Sequence, residues 1–171
     1  NAPFAYVVEI ARAVRELCEE IALPSFIKTS GGSGLHVLMP TGGQLEHDQV
    51  RQLAELLAGV LAARLPKIAT TARSLRTREG QVYIDALQNG RGKLLVAPYS
   101  VRPRPGAPAS TPLQWSEVNE SLDIRAFNLE TLPARIRRLE EDPLLPVLDL
   151  RPDLERSLEL LAKRLGPTGD I

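Results

Sequence analysis

One cysteine and two histidines in 171 residues leave several common chemistries without material. Cys18 has no partner, so an internal disulfide is excluded and the chain fits a reducing compartment. With only His36, His47 and Cys18 available, the spacing of a zinc site is absent. No apolar run approaches the roughly 20 residues of a membrane span, and no signal-peptide pattern opens the sequence. A membrane partner is therefore not expected. Aromatic content is low at 4% and the formal net charge is zero. No Gly-Lys-Ser/Thr closes a Walker loop, no G-x-G-x-x-G marks a dinucleotide fold, and no G-x-S-x-G elbow marks a serine hydrolase. Internal repeats are also lacking.

What remains is the composition of a globular protein, 43% apolar. The length suffices for one domain with a real core or for two small lobes. The chain starts on Asn1 rather than Met and runs directly into a helix, with Pro3 near its first turn. An excised piece of a larger protein is expected from that start. Charge is unevenly placed. Residues 64–104 hold 9 basic side chains against 2 acidic ones, while residues 1–63 hold 4 against 7 and residues 105–171 hold 8 against 12. A polyanion would feel that basic middle third, which includes Lys67, Arg73, Arg76, Arg102 and Arg104. The plain alternative is a solvated basic face.

Periodicity predicts a helix over 3–22, stopped at Leu23-Pro24, and a second from His47 to Arg64. Ser25–Thr29 and Leu35–Pro40 read as strands around a glycine-rich loop, and Gln81–Ala86 and Lys93–Val101 read as two more. Pro66–Arg78 is either a short helix or an irregular basic segment. The proline-rich stretch from Arg102 to Pro108 is expected to be extended and presented rather than packed. Short helices are expected from Trp115 and up to Arg138, the latter capped by Asn128, and Pro152 opens a last amphipathic helix. Helix, strand, loop, strand, helix, strand, turn, strand describes an α+β sheet with helices mostly on one side.

The most informative stretch is Lys28-Thr29-Ser30-Gly31-Gly32-Ser33-Gly34-Leu35-His36. Glycines let successive N–H groups face one point and form a concave anion site, which Ser30 and His36 would flank. A plain glycine-rich hairpin turn is the competing reading. Asp85 ends an apolar strand, where a carboxylate needs an arginine partner, an edge or a metal. Arg102 follows the strand that antiparallel pairing would put beside Asp85. A glycine nest, an imidazole, a guanidinium and a carboxylate around one cavity suit a nucleoside triphosphate with Mg²⁺ or Mn²⁺. A Ser30–His36–Asp85 triad is a poorer reading of the same residues.

Five blocks in order, SFIKTSGGSGLH (25–36), ATTAR (69–73), YIDALQN (83–89), GKLLVAPYSVRPRP (92–105) and TPLQWSEV (111–118), resemble the polymerase domain of bacterial ligase D. That family is the archaeo-eukaryotic primase-like enzyme of non-homologous end joining. The resemblance implies a primase-polymerase-like mixed or antiparallel sheet flanked by helices, present as a partial domain. A catalytic-lobe core would cover about 1–120 and a helical extension about 121–171. It implies that Ser30, Gly31, Gly32, His36 and Arg102 bind the phosphates, and that Asp85 and His36 are catalytic, with Asp85 on the metal. Lys67, Arg73, Arg76 and Arg104 would contact nucleic acid. Mn²⁺ or Mg²⁺ as cofactor, nucleoside triphosphate and DNA ends as ligands, Ku and ligase or nuclease modules as partners, and a bacterial cytoplasmic, nucleoid-associated location follow from the same resemblance.

One departure matters. The family's Asp-x-Asp metal motif lies just before the helix that opens this chain, and residues 1–22 contain no such pair. Asp85 alone cannot bridge two ions, so an isolated stretch of this kind is expected to be inactive. The alternatives are a nucleotide- or nucleic-acid-binding module without catalysis, or a small phosphatase or nucleotidyltransferase of another fold.

Overall fold

The computed structural model describes residues 2–166. Asn1 and the end of the expected helical extension, 167–171, lie outside the described residues. Among the described residues, four α-helices, α1 (Phe4–Glu20), α2 (His47–Arg64), α3 (Leu132–Arg138) and α4 (Leu154–Leu165), accompany a three-stranded antiparallel sheet and a separate two-stranded parallel pair. The sheet contains β1 (Phe26–Thr29), β2 (Leu35–Leu38) and β5 (Pro112–Leu113), with β1 in the centre. The pair is β3 (Ala69–Thr70) and β4 (Val82–Tyr83). The expected α+β class is the observed one.

Helix α1 is the organising element because two of its faces are apolar. Val8 and Ala11 pack with Ile27, Leu113 and Val118 against the sheet. Ile10, Ala13, Val14, Leu17 and Cys18 pack with α2, β3 and α4. Burial of this kind contributes about 25 cal/mol per Å² of apolar surface. The helix ends in a Schellman motif, in which Leu23 N–H donates to Cys18 O and Ala22 N–H to Glu19 O. Ala22 takes the left-handed position there, with φ 53°. Pro24 then forbids any return to helix.

Helix α2 has the bounds the periodicity predicts, and the Gln49 side chain accepts the Glu46 N–H at 2.8 Å to cap it. Helix α4 packs on the core rather than trailing away, since Leu154 and Leu161 are buried and Ser157 Oγ donates to Ala22 O. The ambiguous stretch 66–78 resolves into β3 and one 3₁₀ turn at Leu75–Thr77. Asn128 caps the approach to α3 by accepting from the N–H groups of Glu130 and Thr131.

Two expectations fail. Lys93–Val101 forms no strand; its backbone has no sheet partner apart from a single bridge between Val101 and Ala109. Leu94 is 92% exposed, so its apolar run finds no surface to cover. Arg102–Pro108 is presented as expected, exposed over residues 103–106, but it is not extended. Arg102 N–H donates to Pro108 O and Ala107 N–H to Arg104 O, folding the segment back on itself. The prolines fix φ without preventing the turn, because these bonds use only N–H groups of non-proline residues.

Candidate functional site

β1 and β2 form an antiparallel hairpin, and the glycine loop 30–34 joins them. The hairpin reading of that loop is thus correct as geometry. Strand alternation divides the sheet's faces: Ile27 and Val37 turn toward α1, while the cross-strand partners Lys28 and His36 occupy the opposite face. Ser30 organises the loop. Its Oγ accepts the N–H of Gly32 at 3.1 Å and of Gly34 at 3.2 Å. Two N–H groups expected to face an anion are therefore used inside the loop. The hydroxyl proton of Ser30 remains free to donate outward.

The segment 109–111 is fastened to β1 from the other side. Thr29 Oγ1 donates to Ala109 O and accepts the Thr111 N–H, both at 2.8 Å, and Thr29 N–H donates to Thr111 O. Ser110 N–H donates to Ser100 O, and the Val101–Ala109 bridge brings Arg102 onto the loop. Gly31, at φ +66°, is what permits this approach: a Cβ there would stand 2.7 Å from Arg102 Cγ. Arg104 lies beside the same loop, with its Nη1 3.3 Å from the Cβ position of Gly32.

Lys28 is wholly buried, a placement that demands partners. Its Nζ is 2.6 Å from Ser110 Oγ and 3.0 Å from His36 Nδ1. Burial, followed by the charge of Arg102, brings Lys28 down to about 8. Burial also lowers His36 to about 4, assisted by the charges of Lys28 and Arg102 and opposed by Asp85. His36 thus stays neutral near pH 7, with the Lys28 ammonium 3.0 Å from its Nδ1.

Asp85 follows β4 and is exposed; its Oδ1 accepts the Leu87 N–H at 3.2 Å, opening a 3₁₀ turn. Among the described residues it forms no ion pair, so the arginine-partner reading does not hold. Its neighbour strand also differs from expectation: β4 pairs in parallel with β3, not with a strand leading to Arg102. Asp85 nevertheless acts on the His36 charge, and Arg102 acts on the same ring. Of these groups, the structure places Arg102 against the glycine loop, while Asp85 bonds within its own turn. Among the described residues no group of three or more His, Cys, Asp or Glu stands together to hold a metal ion. A single exposed carboxylate does not by itself fit a two-metal centre.

The basic middle third divides by role. Arg64 pairs with Glu16 and Glu20 of α1. Arg78 donates to the carbonyls of Ala72 and Arg73 and lies 4.4 Å over the Tyr83 ring. Lys67, Arg73 and Arg76 are exposed and enter no ion pair among the described residues. Ser110 escaped the sequence reading because a Ser-Thr pair between prolines carries no periodic signal. Lys28 was visible beside the loop, but its burial was not.

Ser30 in the hairpin loop, His36 on β2, Arg102 packed against the loop and the buried Lys28 ammonium beside the ring stand together in an α+β fold. The chain belongs to the LigD primase-polymerase domain family, whose profile matches residues 1–144. It is 32% identical over 164 residues to the multifunctional non-homologous end joining protein LigD of Pseudomonas aeruginosa, covering 96% of this chain and 19% of that protein. The corresponding Mycobacterium bovis protein is 33% identical over 134 residues, covering 78% of this chain and 18% of that protein. Among solved structures, the polymerase domain from Mycobacterium tuberculosis ligase D in complex with DNA superposes with a TM-score of 0.79 at 31% identity. That match covers 86% of this chain and 50% of the solved one. The chain therefore spans about a fifth of the curated relatives and half of the solved domain.

Proposed function

We propose that this chain is the triphosphate-binding part of a primase-like polymerase that extends DNA ends and fills gaps during non-homologous end joining. Membership of the LigD primase-polymerase family supports the class of reaction. The observation that supports this reading of the site is the close approach of Arg102 to the glycine loop, its Cγ 2.7 Å from the Cβ position of Gly31. In this reading the Ser30 hydroxyl, the His36 ring N–H and the Arg102 guanidinium donate to phosphate oxygens. Gly31 and Gly32 allow the chain and the arginines to come close. Asp85 contributes one hard oxygen to a divalent cation, Mn²⁺ or Mg²⁺. No cluster of three or more metal-binding side chains stands with Asp85 among the described residues; in this reading the stretch binds nucleotide and does not extend DNA alone.

Lys67, Arg73 and Arg76 supply charge toward DNA, and Arg104 stands nearer the phosphates than its position in the basic third suggests. A catalytic-lobe core over about 1–120 followed by a C-terminal extension that includes α3 and α4, Ku and ligase or nuclease modules as partners, and a nucleoid-associated bacterial location complete the reading.

Calorimetric titration with ATP tests it. Arg102→Ala is expected to weaken binding by roughly 1–3 kcal/mol while leaving the unfolding midpoint nearly unchanged. Unfolding without a binding defect assigns Arg102 to structure instead. Robust extension of a primed gapped duplex by the 171-residue chain with Mn²⁺ would contradict the claim that it is catalytically incomplete.

A further inference from the structure

Ser110 Oγ is 3.0 Å from Thr29 O, to which it donates. Its hydroxyl proton is thereby committed, so toward Lys28 Nζ, 2.6 Å away, Ser110 can only accept. An ammonium carries donors and no lone pair, so its contact with His36 Nδ1 at 3.0 Å is also a donation. The imidazole nitrogen facing Lys28 must then be the unprotonated one. From this geometry we infer that Lys28 is a positioning residue, whose buried ammonium fixes His36 in the Nε2–H tautomer and so keeps a ring proton available to a phosphate oxygen of a nucleoside triphosphate. The functional half of this inference rests on the reading of His36 given under the proposed function.

The arrangement has a physical purpose. An unconstrained neutral histidine populates both tautomers, and only one of them donates from Nε2. A histidine tautomer is often fixed by a carboxylate or carbonyl accepting from Nδ1, which places the proton on that side. Here a donor occupies that side and the proton is forced to the other nitrogen. The groups acting on the ring are Lys28 on β1, Arg102 beside the glycine loop and Asp85 after β4. The two cations disfavour a second ring proton, and Asp85 opposes them only in part. The β1–β2 register makes Lys28 and His36 direct partners, so the contact is held by the sheet itself.

The chain has two histidines, His36 and His47, so ¹⁵N-histidine labelling with His47→Gln to assign the signals reads the tautomer directly. At pH 7 the His36 signals are expected to show Nδ1 unprotonated and Nε2 protonated. Lys28→Met should yield a tautomer mixture, raise the His36 titration midpoint by about one pH unit or more, and weaken ATP binding about tenfold. A residue serving only packing would shift the unfolding midpoint and leave the His36 signals alone. A proton on Nδ1 in the unsubstituted chain overturns the inference, and that measurement decides even where Lys28→Met fails to fold. Unchanged tautomer and titration in a folded Lys28→Met overturn it as well. Failure of the unsubstituted chain to bind ATP refutes the triphosphate reading, while the tautomer still decides the role of Lys28.

Discussion

Three glycine-to-alanine substitutions separate backbone strain from close approach. Gly34 has no positive φ, and nothing stands within 4 Å of its Cβ position. Alanine there is expected to be neutral or to stabilise by up to about 1 kcal/mol through the unfolded chain. Gly43 has φ +71° and equally open surroundings. Alanine at that turn meets only the left-handed penalty, roughly 1–2 kcal/mol. Gly31 combines φ +66° with Arg102 Cγ at 2.7 Å, Ser110 N at 3.1 Å and the Ala109 carbonyl carbon at 3.3 Å. Backbone atoms at 109–110 are held by bonds to Thr29 and Ser100 and cannot retreat. Strain and overpacking together give a loss of roughly 2–5 kcal/mol for Gly31→Ala. Arg102 is the movable neighbour, so it should swing out of the site and take nucleotide affinity with it. Urea unfolding and ATP titration of the three variants check the series. A Gly31→Ala chain as stable as Gly43→Ala, with unchanged affinity, would refute the packing of Arg102 on the loop.

Burial pushes the Glu117 carboxyl up, but the Arg135 guanidinium and the Gln114 N–H outweigh it and leave it below its ordinary 4.5. The stability this pair contributes is present above pH 4.5 and is lost as pH falls through the lower folded value. Glu117→Gln, which breaks a two-pronged pair with both contacts at 2.7 Å, should lower stability at pH 7 by about 1–3 kcal/mol and flatten the acid limb of the stability profile. An unaltered acid limb would count against the pair. Cys18 is pushed up to about 12 chiefly by burial, so a thiol reagent at pH 8 should label it only as fast as the chain unfolds. Prompt stoichiometric labelling of folded protein would show that α1 does not seal it.

The helices were legible because their signal is local. The stripe of α2 and its Glu46 and Asp48 at the N-terminus predicted His47–Arg64 without any tertiary knowledge. The β1–glycine–β2 hairpin was equally plain, since a glycine cluster between two short apolar runs admits few alternatives. The run Lys93–Val101 misled because a short continuous apolar stretch is a strand only where something pairs with it and covers it. Arg102–Pro108 misled for the opposite reason: its turn is closed by backbone bonds to residues whose proximity no pattern announces.

By itself, then, the sequence determined the helices, the hairpin and the set of polar side chains from which an anion site can be made, all of which follow from residues a few positions apart. Only the tertiary structure decided which groups meet. Lys28 and Ser110, 82 positions apart, hydrogen-bond because β1 holds the 109–111 segment through Thr29. That contact removes an ammonium from water, gives it an acceptor on His36, and so sets the chemistry of a ring the sequence could only place on a strand.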